Sequence, residues 1–232
     1  MYVRLSGKCR KCRGLWYELN QVFLHSEIRS RYQLGPAHHM THIDNLDGIL
    51  SSGEIKSYNR VNGAYTNIAN DDVQAVRAAI MIPETKRPLH DYVPLYFGFK
   101  TPMVACNQHQ NESIVFLRFS LDLLGECSGI VIANGNARSR GTKFQLYRGI
   151  DDLGILDTKA VLTVKYAHDP ELKRRKQAEM LIPDGLPTSM ILDIICFSED
   201  ARTTVITKQK RYGMSIATLV RRGWYFVPRL PT

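Results

Sequence analysis

The chain has 232 residues, 44% hydrophobic and 23% charged, which excludes a disordered chain and leaves room for one large domain with a substantial core. A net charge of +9 points to an anionic partner, nucleic acid before an anionic membrane surface. No apolar run approaches the length of a membrane span and the N-terminus lacks the apolar stretch of a secretory signal, so a cytoplasmic monomer with no membrane partner is expected.

Residues 1–34 are basic. Leu15, Leu19, Val22 and Phe23 fall on one helical face, which predicts a helical extension packed on a single domain over 35–232. The five cysteines, Cys9, Cys12, Cys106, Cys127 and Cys196, are odd in number and give no disulfide framework. Cys9 and Cys12 have the spacing of half a zinc site, but no second pair follows, and no metal is expected. After Gly35-Pro36, His39 and Thr41 share one side of a short strand. Asp44 or Asn45 caps a short helix through Leu46, Ile49 and Leu50, and Ser51-Ser52-Gly53 stops it. The spacing of His38, His39 and His42 suits hydrogen bonding better than a shared metal.

Residues 55–90 are loop-rich, with one helix from Asp72 through Ala79, capped by Asp71 or Asp72 and carrying Arg77 in its last turn. His90 to Phe99 reads as a strand, with Pro94 at an edge or bulge and Tyr92 and Tyr96 on one face. A short helix from Thr101 follows, then strands at 113–119 and 129–133. Asn134 to Phe144 is a polar loop with three cations, Arg138, Arg140 and Lys143, closed by an aromatic ring, a composition that suits single-stranded nucleic acid as well as a plain solvated loop. Four cations, Lys173, Arg174, Arg175 and Lys176, precede Glu179 and the apolar run Met180-Leu181-Ile182. Pro183 and Gly185 end that run, which reads as a buried strand with Glu179 at its entry. A carboxylate beside fixed cations stays ionised and stabilises a positive charge developing on a substrate. The alternative is a surface acid next to a solvated basic face.

A core strand at 191–197, a helix capped by Ser198 to about Lys208, and strand-like stretches at 216–219 and 224–227 complete an α+β pattern. There is no βαβ repeat, GxGxxG loop, P-loop or HExxH motif.

Several segments together resemble the DarT family of DNA ADP-ribosyltransferases, the toxins of DarT–DarG toxin–antitoxin systems. They are His39-Met-Thr-His-Ile-Asp-Asn-Leu46, His90-Asp-Tyr-Val-Pro-Leu-Tyr-Phe97, Ala133-Asn-Gly-Asn-Ala137, Arg175-Lys-Gln-Ala-Glu-Met-Leu-Ile182, Asp193-Ile-Ile-Cys-Phe-Ser198 and Arg222-Gly-Trp-Tyr-Phe226. The resemblance implies an ADP-ribosyltransferase fold, a split β-sheet core gripping NAD. It implies transfer of ADP-ribose from NAD to a base of single-stranded DNA, thymine first and guanine otherwise, and a macrodomain-type antitoxin that reverses the modification. By position it implies His39, Thr41, Asn45, Arg77 and Tyr96 as the NAD-binding set and Glu179 and Arg77 as the catalytic pair. Asn134, Asn136, Arg138, Arg140, Lys143, Phe144 and Arg175 would face DNA. The family's Pro-Val-Pro and paired glycines are replaced here by Ile82-Pro-Glu-Thr-Lys-Arg-Pro88, and the loop after Asn134 is less aromatic than the family's. A transferase of the same fold acting on RNA or protein, and a non-catalytic nucleic-acid-binding module, are the other readings.

Overall fold

The computed structural model describes residues 24, 26–69 and 71–227. The helical face at Leu15 to Phe23 and the Cys9–Cys12 pair lie outside the described residues. Twelve strands occur among them: β1 Ala37–His42, β2 Glu54–Lys56, β3 Met81–Ile82, β4 Arg87–Pro88, β5 Tyr92–Tyr96, β6 Ile114–Phe119, β7 Val131–Ala133, β8 Phe144–Leu146, β9 Glu179–Pro183, β10 Gly185–Pro187, β11 Ile191–Cys196 and β12 Thr218–Val220. The helices are α1 at 26–32, α2 Asn45–Ser52, α3 Asp71–Ala78, α4 Pro102–Cys106, α5 Leu123–Glu126, α6 Thr158–Leu162, α7 Pro170–Arg175 and α8 Glu199–Arg211. Mixed strands and short helices make the α+β architecture expected.

Eight strands form one sheet in the order β12-β11-β6-β1-β5-β9-β7-β8. Its two halves are unequally joined. β1 pairs with β6 at six consecutive positions but with β5 only at His38↔Tyr96. Pro94, two residues before that contact, sits on the strand facing the split, where a residue without an N–H interrupts no continuous ladder. The edge expected at Pro94 is therefore the edge of a half-sheet inside the molecule.

Strand register fixes which side chains meet at the split. One transverse row runs Ala133, Glu179, Tyr96, His38, Arg118 and Asp193 across six strands. Directly opposed residues share a face, so the row sets acid, phenol and imidazole side by side. Alternate residues face the core: Val93, Leu95 and Phe97 pack with Leu117, Met180 and Ile182 in the main cluster, while Tyr92, Val131 and Leu181 pack in another. Each buried Val, Leu, Ile, Met or Phe among them contributes about 1.5–3 kcal/mol through its removal from water. Ile28, Tyr32 and Leu34, from the expected extension, are buried in the same main cluster.

Two expectations near the C-terminus change. Residues 224–227 are not a strand: Arg222–Trp224 forms a 3-10 turn, and Tyr225 is inserted between strands, with its hydroxyl 2.9 Å from the Ile114 carbonyl. Its aromatic neighbours pack by their rings rather than by a ladder, Trp224 against Phe99 at 5.3 Å and Phe116 at 5.5 Å. The last long helix, α8, is capped by Ser198 as expected but continues to Arg211, where Arg211 and Tyr212 reach Asp47 on α2 at 3.1 and 3.2 Å.

Candidate active site

A cavity of about 670 Å³ opens along the split, within the range of small-molecule sites. Its floor is His39, Met40 and Thr41 of β1 with Pro94 and Tyr96 of β5. Its walls are α2, α3, α4 and a strap of residues 57–69.

Glu179 is the first residue of β9 and is fully buried. It reaches that position because α7 starts with Pro170 after Asp169, whose carboxylate accepts the Glu171 and Leu172 N–H groups, and ends just upstream of the strand. The cation beside its carboxylate is not one of its sequence neighbours but Arg77, 102 residues away. The guanidinium donates from Nη1 to Oε1 at 3.3 Å and from Nη2 to Oε2 at 3.1 Å, a two-pronged pair. The Ala137 N–H adds a third donor to Oε1 at 3.0 Å. Burial alone would lower the Arg77 pKa, but the Glu179 carboxylate more than offsets this and the value ends above its ordinary one. Arg77 is thus firmly cationic. It also lines the cavity and stands over Glu179, whose side chain is 0% exposed against 12% for Arg77. Tyr96, opposite Glu179 in register, has its pKa raised by burial and by that carboxylate, so the phenol stays protonated.

On the facing strand, His39 Nδ1 lies 3.1 Å from the Pro94 carbonyl. A carbonyl only accepts, so Nδ1 carries the proton and Nε2 is left as an acceptor. Burial lowers the His39 pKa, keeping the ring neutral. His38 does not line the cavity; its ring packs against those of Phe116 and Trp224, each 5.2 Å distant, and Tyr96 at 6.0 Å, without a hydrogen-bond partner among the described residues. His42 Nδ1 accepts the Asp44 N–H at 3.2 Å. Among the described residues, no group of three potential metal ligands occurs. Asn45 does not cap α2 with its side chain. Its carboxamide instead joins Thr41 Oγ1 at 3.0 Å and both backbone groups of Thr66.

The loop at 134–143 is braced from within. Asn134 Oδ1 accepts the Lys143 N–H, and Asn136 bonds Gln177 and the Arg138 N–H. Phe144 enters β8 and packs toward the Ile82, Leu89 and Tyr92 cluster rather than standing out as a stacking platform. Arg138, Arg140 and Lys143 are exposed. Three of the four cations before Glu179 turn inward. Arg174 joins Glu171, Asn134 and Thr142, Arg175 pairs with Asp157 at 2.6 Å, and Lys176 is fully buried with Nζ 2.5 Å from the Val161 carbonyl. Burial brings the Lys176 pKa down to about 8. Lys173 alone of the four is exposed, and it lines the cavity. The flank read as solvated or DNA-facing is therefore mostly internal bracing. Gly135 lies close against Arg174: a Cβ there would meet Nη1 at 2.4 Å, so the guanidinium would have to shift, and the carbonyl oxygen at 3.0 Å.

Tyr58, Tyr65, Gln74 and Gln177 also stand on the cavity wall, with no role expected for them from the sequence, and Lys173, expected only as part of a basic flank, joins them. The aromatic pair within an asparagine-rich loop was the one available signal for the first two.

A sheet split at its centre, a cavity along the split, and a buried glutamate at the head of the bordering strand define the class: an ADP-ribosyltransferase domain. The family model described as "ssDNA thymidine ADP-ribosyltransferase, DarT" matches residues 38–226. The chain belongs to the DarT family. It is 29% identical over 201 residues to a DNA ADP-ribosyl transferase of Thermus sp. (strain 2.9), spanning 82% of this chain and 96% of that protein. A second, from Mycobacterium tuberculosis (strain ATCC 25618 / H37Rv), is 28% identical over 204 residues, 81% of this chain and 87% of the relative. Among solved structures, Thermus sp. 2.9 DarT in complex with ADP-ribosylated ssDNA superposes with a TM-score of 0.77 at 28% identity, covering 82% of this chain and 96% of that one. The same protein in complex with NAD+ gives 0.72 at 28% identity, covering 82% and 97%.

Proposed function

We propose that this protein transfers ADP-ribose from NAD to a base of single-stranded DNA, thymine first and guanine as the alternative, releasing nicotinamide. The observation that carries the reading is the buried Glu179 carboxylate at the split, held in place by hydrogen bonds from Arg77 and the Ala137 N–H beside Tyr96.

NAD is the co-substrate, a reading that the solved relative in complex with NAD+ supports, and the cavity along the split would take it. Cleavage of the nicotinamide–ribose bond builds positive charge on the ribose, and nicotinamide leaves with the bonding pair. Glu179 accepts a ribose hydroxyl and stabilises that charge where it develops. Arg77 covers the carboxylate in the free protein, so it shifts as the ribose enters. A guanidinium held charged is no proton acceptor. Its N–H groups orient Glu179 and bind an anionic oxygen, on the diphosphate or on the acceptor base as its ring N–H proton is lost to solvent water. His39 offers Nε2 and Thr41 its hydroxyl to NAD, and Tyr96 lies beside the nicotinamide. The acceptor nitrogen bonds to the ribose carbon that nicotinamide left. A base within a duplex does not reach a buried ribose carbon without leaving its stack, which favours single strands. Arg138, Arg140, Lys143 and Lys173 are exposed to carry DNA phosphates. A macrodomain-type antitoxin is the proposed partner in the cell.

The test is a mass measurement. Purified protein, NAD and oligonucleotides each containing one candidate base are incubated and analysed for ADP-ribose addition and free nicotinamide. Addition to the thymine-containing single strand alone supports the full reading. Addition to RNA or to the protein instead moves the acceptor class, and intact NAD with every acceptor refutes the activity.

A further inference from the structure

The strap at 57–69 closes one lobe of the cavity. Residues 62–66 are exposed, and Gly63 adopts φ +106°, a backbone conformation open to glycine. Beyond the 3-10 turn at Tyr58–Arg60 the strap has no regular structure, yet it lines the cavity from Val61 to Ala69. Two carboxamides from the walls hold it. The Asn45 side chain donates to the Thr66 carbonyl at 2.9 Å and accepts the Thr66 N–H at 2.8 Å. Both backbone groups of one residue are thus met by one side chain, in the way a neighbouring strand would meet them. Its remaining amide hydrogen goes to Thr41 Oγ1 at 3.0 Å, which fixes the carboxamide to the floor strand. Gln74 of α3 is the second holder, donating to Asn67 Oδ1 at 3.1 Å while its own oxygen lies 3.1 Å from His90 Nε2. Past these bonds Ile68 is docked in the apolar cluster of Met40 and Phe116, so the strap is anchored beyond the held stretch.

We propose that Asn45 is a positioning residue, a latch that pins the strap to the cavity floor through Thr66, and not itself a contact to NAD. Both of its N–H donors are engaged and its oxygen already accepts the Thr66 N–H, so the carboxamide has no donor to offer a ligand without releasing the strap. The latch sets the shape of the lobe carrying Tyr58 and Tyr65, and so governs how readily the lobe takes its ligand. That the ligand is NAD rests on the function proposed above; the latch itself does not.

Hydrogen exchange on the free protein, read by mass spectrometry, tests it. In Asn45→Ala, the Thr66 amide, read in peptides spanning 62–67, should exchange about tenfold faster than in the unaltered protein, the factor that loss of such a bond implies. Peptides from β6 and β9 should be unchanged, which establishes that the fold is intact. Asn45→Asp, of equal size, keeps an acceptor for the Thr66 N–H but loses both donors and sets a carboxylate against the Thr66 carbonyl. It should loosen the same peptides and serves if the alanine variant folds poorly. In turnover, both variants should raise KM for NAD severalfold with kcat retained within about twofold. Unchanged exchange at 62–67 overturns the latch, and unchanged exchange with a raised KM assigns Asn45 to direct ligand contact instead. A loosened strap in a protein that never consumes NAD upholds the latch and overturns the activity.

Discussion

Arg77 and Glu179 meet across 102 residues of sequence through two hydrogen bonds in a site nearly closed to water. Removing one partner of such a pair strands a buried charge and costs about 3–5 kcal/mol, whereas removing both costs much less. A double-mutant cycle with Arg77→Met and Glu179→Gln should therefore give a coupling of about 3 kcal/mol in denaturant unfolding of the free protein. Saturating NAD should reduce it, because the ribose takes one position on the carboxylate; a coupling near zero without NAD would remove the pair from the account. His38 makes a second prediction. Burial, reinforced by the charge of Lys176, pushes its pKa down to about 3 from an ordinary 6.5. The unfolded chain takes up a proton as pH falls through 6.5, but the folded chain does not until about 3. The stability His38 contributes is thus complete above pH 6.5 and declines below it, by about 2 kcal/mol at pH 5. His38→Phe fits the same ring-lined space and should lack this decline, measured as melting temperature against pH.

At the scale of elements, the bracing of the 134–143 loop by α7 separates two kinds of cation. Arg138, Arg140, Lys143 and Lys173 are exposed, while Arg174, Arg175 and Lys176 are engaged internally. Each phosphate contact on a single strand contributes about 0.7 to the slope of log affinity against log salt. Arg138→Ala and Lys173→Ala should each lower the slope by about that amount, and Arg175→Ala should leave it unchanged. Equal slopes for Arg175→Ala and Arg138→Ala would put the flank back on the DNA. This division was illegible in the sequence, where the four cations are adjacent and equivalent. Their directions are decided by where α7 ends and by Asp157 and Val161, distant acceptors that no local pattern announces. The strap was illegible for a related reason. Its path depends on bonds between residues 45 and 66 and between 67 and 74, in a stretch with neither apolar period. The strands from 37 to 42, 114 to 119 and 191 to 196, the helix carrying Arg77 and the Ser198 cap were legible, because period, branching and capping chemistry act within a few residues.

For the whole molecule, the sheet does the assembling. A row of register partners brings Glu179, Tyr96 and His38 together from three strands, and the single pairing between β1 and β5 leaves the cavity beside them. From the residues alone Glu179 had an unremarkable alternative, a surface acid beside solvated charges. Its complete burial removes that alternative and leaves a carboxylate whose only compensation is the site itself. The net charge of +9 is consistent with a polyanionic acceptor and sets no chemistry by its own action. The most direct measurement compares the unaltered protein with Glu179→Gln, both shown to be folded, on a thymine-containing single-stranded oligonucleotide with NAD, by mass spectrometry of the nucleosides after digestion. An ADP-ribosylated thymidine from the unaltered protein, reduced at least about hundredfold in Glu179→Gln, is the predicted result. An equal yield from the two proteins, or no modified nucleoside from either, would contradict it.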